Sequence, residues 1–552
     1  MNEKSFCHLN GYRVKDSVAR QQIEQIGITP QMYGAIGNGV ADDTERINAM
    51  FDSLQGGETI FFPTGTYIVS KQKNDPRETN RWSAIRLIGK ENIKIILSPN
   101  AKIKCSVVED TDLTQVGVFW IEGCNNIEIT GGCIEGEGLE HVESDKANQT
   151  LNGGINNIEI RECNNVYIHN MTINNAFADG IMVKPFKTNT KQLENIVVEN
   201  CHIFNCRRNG INFDGVKNGI IRNCLIHDIK GNSPQCGIDF ECEWTEYVGN
   251  SGVVNKNNLV DGCKIYNCGE YAVNHSTHSY DTRIMNCEID GNIAQTIKGY
   301  GDLYIFNTHF NNILYCYHTY IDSCKIKSIK SVSKNNDYGT AKGLFKNCNI
   351  QGDDIDGTVI YISDRKDVIM FDGCIFRAEN PITPGNLVKL SGDGVELEYS
   401  LLFNNCIIFI WDNTKQFDFY DNAKQIDLTN CKFIYKNTES VRPLVFTKCN
   451  KFNMIDCILD FTEGYEGVKD SVGIIAVRQT NEDSTHNIIS NKVITKKRET
   501  PILNNFITGY SNQAIGTTHV INNVCVNTPN IVINVNGTLL SGGNVDLSTL
   551  SQ

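Results

Sequence analysis

A recurrence of cysteine constrains this chain more than any other feature. Motifs of the form Asn-Cys-x-Ile, or close to it, place Cys201, Cys224, Cys263, Cys287, Cys324, Cys348, Cys374, Cys406, Cys431 and Cys457 mostly 22 to 26 residues apart. Most follow Asn, Gly or Asp. A fixed period of this size means a solenoid, in which each repeat buries its apolar face on its neighbours. Each coil then supplies three short strands, and equivalent residues stack about 4.8 Å apart along the axis. The cysteines form a column of small apolar side chains inside the coil. Asn stands beside them at the turns because it tolerates left-handed backbone. A redox or metal ladder is the rival reading. Buried cysteines are usually inert small hydrophobes, however, and the sequence has no CxxC pair and no Cys/His cluster with zinc spacing. Cys163, Cys206, Cys242 and Cys316 fall outside the column.

With 552 residues the chain exceeds one ordinary core, which suits a repeat array. A net charge of −13 argues against general binding to nucleic acid or anionic membranes. No apolar run is long enough to span a bilayer. The start, Met1-Asn-Glu-Lys-Ser-Phe-Cys-His, has no apolar core and reads as no secretory signal, so synthesis in a reducing cytoplasm is expected.

Three segments at the centre share one outline: Asp179-Gly-Ile-Met-Val-Lys, Asn209-Gly-Ile-Asn-Phe-Asp and Cys236-Gly-Ile-Asp-Phe-Glu. Strict alternation marks strands buried on one face. Ile181/Val183, Ile211/Phe213 and Ile238/Phe240 are the inward residues. Met182 and Lys184, Asn212 and Asp214, and Asp239 and Glu241 point outward. Stacked as neighbours, these strands gather Asp214, Asp239 and Glu241 on one exposed patch. Continuing the register adds Asn274, with His275 on that strand or just past it, and then Lys298. Trp244 suits stacking on a pyranose, and Arg207 and Arg208 could hold an acidic sugar or simply solvate a turn.

Glycoside hydrolysis needs one carboxylic acid to protonate the leaving oxygen and one carboxylate to activate water or attack the sugar. Residues two apart on a strand lie roughly 6.5–7 Å apart, so Asp239 and Glu241 bracket a water as inverting enzymes require. Asp214 and Glu241 on adjacent rungs lie about 5 Å apart, close to the retaining separation. Clustered carboxylates raise at least one pKa, as a general acid requires. The same acids could instead bind calcium. A lyase or epimerase would use that ion or a base such as Lys184, Lys298, His275 or His278. The bland alternative is a solvated acidic face.

Earlier in the chain, Tyr33-Gly-Ala-Ile-Gly-Asn-Gly-Val-Ala-Asp-Asp-Thr precedes a helix with Ile47, Met50, Phe51 and Leu54 on one face. Asp42 or Asp43 is its expected cap. Thr59-Ile-Phe-Phe-Pro-Thr-Gly-Thr-Tyr-Ile then reads as strand, turn and strand. This run resembles the opening of the pectate-lyase-like family, which includes polygalacturonases and many phage tailspikes. The resemblance implies an all-β, right-handed parallel β-helix solenoid with an N-terminal capping helix and a β-rich C-terminal segment. The expected divisions are a leader at 1–30, with a short helix capped by Asp16, a catalytic β-helix at 31–465 and a C-terminal segment at 466–552. Asn212-Phe-Asp214 resembles the polygalacturonase Asn-x-Asp strand, with Asp239 on the next coil where that family pairs two aspartates. Here the second acid is Glu241, and no Gly-His-Gly or Arg-x-Lys follows, so the fold carries over and pectin hydrolysis does not. The resemblance implies a tailspike-like depolymerase that hydrolyses a bacterial surface polysaccharide without a cofactor. It also implies a homotrimer in a virion tail, or extracellular after lysis, attached to tail or baseplate through its N-terminus. The alternatives are a polysaccharide lyase or epimerase using calcium or a basic residue, and a non-catalytic glycan-binding fibre.

Overall fold

The computed structural model describes residues 6–9, 12–15, 27–70, 81–106, 115–140, 155–185, 191–242, 253–276, 278–295, 301–315, 318–331, 342–352, 360–362, 368–377, 388–390, 399–410, 418–419, 423–435, 444–446, 449–462, 475–477, 485–495, 507–509, 517–526, 533–534 and 538–546. They fall into two compact units, Met1–Gly301 and Asp302–Gln552.

In the first unit one coil runs through Ile196–Glu199, His202–Phe204, Asn209–Asp214 and Val216–Lys217 before Ile220–Arg222 begins the next. Each strand pairs in parallel with its counterpart one coil on: Val197 with Ile220, Ile203 with Ile226, Ile211 with Ile238 and Lys217 with Lys256. The chain is a right-handed parallel β-helix. Alternate Ile, Val and Phe side chains point inward and are fully buried, each worth about 1.5–3 kcal/mol of apolar burial.

The turns follow from their residue types. Asn200, Asn223 and Asn286 have φ of 51°, 52° and 55°, and Gly262 has 63°, each immediately before a column cysteine. The left-handed turn swings the next residue inward. Cys201, Cys224, Cys263 and Cys287 are buried there as free thiols. Each Sγ donates to the carbonyl two residues earlier, as from Cys224 to Arg222 O at 3.3 Å. Cys163 lies outside this column and meets Cys124 at another corner, where its Sγ accepts from Cys124 N at 3.3 Å.

The second unit repeats the plan, with Thr319–Asp322, Lys342–Lys346 and Val368–Asp372 in one parallel ladder. Cys324, Cys348, Cys374, Cys406, Cys431 and Cys457 fill the same kind of corner. After Cys457 the corner residue becomes Asn: Asn491, Asn523 and Asn544. Asn491 N donates to Asn523 Oδ1 at 2.9 Å, and Asn523 N to Asn544 Oδ1 at 2.9 Å. Described strands beyond residue 465 continue these ladders, with Thr485–Ile489 pairing Thr517–Ile521, which pairs Thr538–Gly542.

Near the start, Phe6–Leu9 pairs antiparallel with Tyr12–Lys15; the helix expected after Asp16 lies outside the described residues. Helix Thr44–Ser53 buries Ile47, Met50 and Phe51, with Leu54 buried just beyond its end. Phe51 stacks on Phe119, ring centres 5.5 Å apart. Asp43 occupies the N-cap position, yet its carboxylate turns back to Ile36 N and Gly37 N at 2.7 and 2.9 Å. Asp42 instead accepts from Thr44 N at 2.9 Å. Both aspartates serve the local backbone. No described helix is long and apolar enough to cross a membrane.

Candidate functional site

Five strands of the first unit build the site: Ile155–Arg161, Ile181–Lys184, Asn209–Asp214, Cys236–Glu241 and Val273–His275. Glycine lets successive coils approach closely at the start of each of the middle three. A Cβ on Gly180 would lie 2.7 Å from Gly210 O, and one on Gly210 2.5 Å from Gly237 O. Beyond the glycines the register is unbroken. Glu159 pairs Met182, then Asn212, Asp239 and Asn274 follow in one outward row. In the next outward row Glu122 pairs Arg161, Arg161 pairs Lys184, and Asp214 pairs Glu241.

These outward rows are not the open patch that alternation predicts. Glu159, Arg161, Asn212 and Asp239 have no exposed surface, while Asp214, Lys184 and Asn274 keep only a thin edge. Burial makes the partners decisive. Asn274 Nδ2 donates to Asp239 Oδ1 at 2.8 Å, and Asp239 Oδ2 has no hydrogen-bond partner among the described residues. Glu241 Oε1 accepts from Asn212 Nδ2 at 2.7 Å and from Arg208 Nη2 at 3.2 Å. Arg208 Nη1 reaches Asp179 Oδ2 at 3.0 Å, and Asn209 N donates to Asp179 Oδ1 at 3.0 Å. One coil back, Arg161 Nε donates to Glu159 Oε1 at 2.7 Å, and the guanidinium lies 5.3 Å over the Trp120 ring.

The electrostatics separate these groups. Burial, and then Glu241 beside it, pushes the Asp239 carboxyl well above the usual carboxylate range. Burial also lifts Asp179 to about 6, against the pull of Arg208. Glu159 is equally buried, but Arg161 and Lys184 outweigh desolvation and hold it below the ordinary value. Burial and the neighbouring Arg161 lower the Lys184 ammonium to about 8.

The register thus brings Asp214, Asp239, Glu241, Asn212, Lys184 and Asn274 together. His275 departs from expectation. It pairs with Phe240 on the inward side and is buried in the core, because its neighbour Asn274 takes the outward position. Burial lowers its imidazole to about 3. Trp244 and Lys298 lie outside the described residues. Asp179, Arg208, Asn156, Glu159 and Arg161 are additional members. Asp179 had a usable signal, since it precedes the same Gly-Ile step as Asn209 and Cys236. Arg207 does not join them and sits 4.6 Å over the Phe177 ring. No group of three or more His, Cys, Asp or Glu placed to hold a metal ion occurs among the described residues.

Residues 31–274 match the family described as rhamnogalacturonase A/epimerase, pectate lyase-like. Over this stretch, somewhat under half of the chain, the sequence is similar to that pectate-lyase-like family. The chain is 31% identical over 219 residues to the uncharacterized protein YclG of Bacillus subtilis (strain 168), covering 38% of this chain and 37% of that one. It is 26% identical over 260 residues to the pre-neck appendage protein of Bacillus phage phi29, covering 44% and 27%. The chain therefore spans well under half the length of these curated relatives. Among solved structures, the Agl-KA catalytic domain aligns over 68% of both chains at 14% identity with a TM-score of 0.48.

Proposed function

We propose that this protein is a depolymerase that hydrolyses glycosidic bonds of a bacterial surface polysaccharide. Asp239 carries the reading: a buried acid with a raised pKa and an oxygen unpartnered among the described residues, two positions from Glu241 on one strand. Asp239 gives its proton to the glycosidic oxygen as the bond from that oxygen to the anomeric carbon breaks. Glu241 takes a proton from the attacking water, whose oxygen bonds to that carbon. Asp214, paired with Glu241 one coil back, orients the water or sugar, while Lys184, Asn212 and Asn274 hold polar groups of the substrate. The substrate enters along the thin edge kept by Asp214, Glu241, Lys184 and Asn274. The appendage-protein relative supports a place on a virion tail, and the homotrimer and N-terminal attachment belong to the same proposal.

One observation favours a second reading. Lys184 is lowered to about 8, between Arg161 and Asp214, which suits a base that removes a proton beside a sugar carboxylate in a lyase or epimerase. Incubating the protein with host surface polysaccharide, with Asp239→Asn/Glu241→Gln alongside, separates these chemistries. New reducing ends without ultraviolet absorbance, lost in the mutant, support hydrolysis. Absorbance that survives in the mutant and disappears in Lys184→Met supports the lyase, and loss on chelation assigns it calcium. Glycan left at full length with inverted uronate residues, seen by NMR, supports the epimerase, and glycan bound with length and configuration unchanged makes the protein a binding fibre.

A further inference from the structure

Glu241 and Asp239 leave the same face of one strand but are held from opposite sides. Asn274, on the following coil, takes Asp239. Asn212 and Arg208, on the preceding coil, take Glu241. Arg208 is itself fixed. Its Nη1 ends on Asp179, which accepts from Asn209 N and donates its own N–H to Asn156 Oδ1 at 3.0 Å. Asn156 Nδ2 in turn donates to Glu159 Oε2 at 3.0 Å. The clamp runs through four successive coils, and its members are buried except Glu241, which keeps a partly exposed edge. Such a chain of charge-assisted bonds leaves Arg208 little freedom.

We propose that Arg208, clamped by Asp179, is a positioning residue that draws Glu241 away from Asp239 and keeps the two acids apart as separate base and acid. The inference rests on the hydrolase reading. Two properties of Arg208 suit the task. Its planar fork serves two carboxylates on different coils at once, which the single ammonium of Lys cannot reproduce with the same geometry. Its charge also counteracts the rise in Asp239 caused by burial and Glu241. Arg208 therefore acts through Glu241 and not on the sugar.

The test measures kcat and KM for release of reducing ends across pH in wild type, Arg208→Lys, Arg208→Gln and Asp179→Asn. A misplaced catalytic group costs on the order of 100-fold, so Arg208→Lys is expected to lose about that factor in kcat while KM moves far less. The alkaline limb of kcat, where the acid loses its proton, stays in place in Arg208→Lys and moves to higher pH in Arg208→Gln. Asp179→Asn, which leaves Arg208 on Glu241, loses less than Arg208→Lys. Should Arg208→Gln not fold, Arg208→Lys and Asp179→Asn carry the test. Wild-type kcat in Arg208→Lys, a loss confined to KM, or an unmoved limb in folded Arg208→Gln overturns the inference alone. A wild-type protein that binds glycan and releases no ends overturns the hydrolase reading, and this inference with it.

Discussion

The cysteine corner and the charged outward rows come from the same operation, the stacking of equivalent residues coil upon coil, and they end up opposite in character. At the corner each coil places the same small group in the same pocket. Cys348 Sγ donates to Lys346 O at 3.0 Å and to Ile321 O at 3.7 Å, and Cys431 repeats the pattern with Thr429 O and Phe403 O at 3.4 and 3.5 Å. In the outward rows each coil contributes something different: Trp120, Glu159, Met182, Asn212, Asp239 and Asn274 in one, and Glu122, Arg161 and Lys184, then Asp214 and Glu241, in the other. A uniform column is packing. A varied, buried and charged one is hard to justify by stability, because desolvating ions costs as much as pairing them returns. Residues kept there at such cost point to chemistry.

The largest break in this contrast is chemical. Asp239→Asn should reduce depolymerisation by 10²–10⁴-fold, the usual worth of a general acid (about 3–5 kcal/mol), with the melting temperature held because a neutral amide replaces a buried acid that already favours its neutral form. An unchanged rate of reducing-end release would return the row to a structural role. Next comes the close approach before the site strands. Gly210→Ala puts a methyl 2.5 Å from Gly237 O and 2.7 Å from Ile226 Cγ2, and overpacking of this kind costs about 1–3 kcal/mol, read as a lower denaturation midpoint.

A subtler test uses pH. Asp179 sits at about 6 in the fold against an ordinary 3.8, so the folded state binds the extra proton between those values. Its contribution is therefore fully present below 3.8 and is lost as pH rises through about 6. Asp179→Asn should lack this loss, and melting temperatures of wild type and mutant compared across that window would show it. Parallel curves would refute the buried, ionisable Asp179. The smallest effect belongs to the corner. Cys406→Ala removes one buried sulfur and should cost only about 1 kcal/mol in chemical denaturation, leaving depolymerisation untouched.

Most of the architecture was legible because period and alternation are properties of the chain itself. The cysteine spacing implied the coil, and Ile211-Asn-Phe-Asp214 announced which side chains share a face. Burial of that face was not legible, since what covers a strand is set by segments far away in sequence. The role of Arg208 was hidden for the same reason: beside a turn it reads as solvated, and only stacking shows that it lies between Asp179 and Glu241. Asp179 escapes the alternation because it stands ahead of the Gly-Ile step at which the inward and outward residues begin. His275 illustrates the opposite error, in which a residue attractive for its chemistry overrode the alternation that turns it inward.

The cysteine column also makes the molecule its own reporter of partial opening. Of the twenty free cysteines described, all but Cys133 and Cys268 are buried, and they recur from Cys105 to Cys525 along the chain. A thiol reagent added to the native protein can reach a buried member only when its coil opens. Labelling rates mapped by peptide would therefore rank local opening along the solenoid without any engineered probe. They would show whether the coils holding Asp239 and Glu241 open more readily than the rest, as the proposed depolymerase requires.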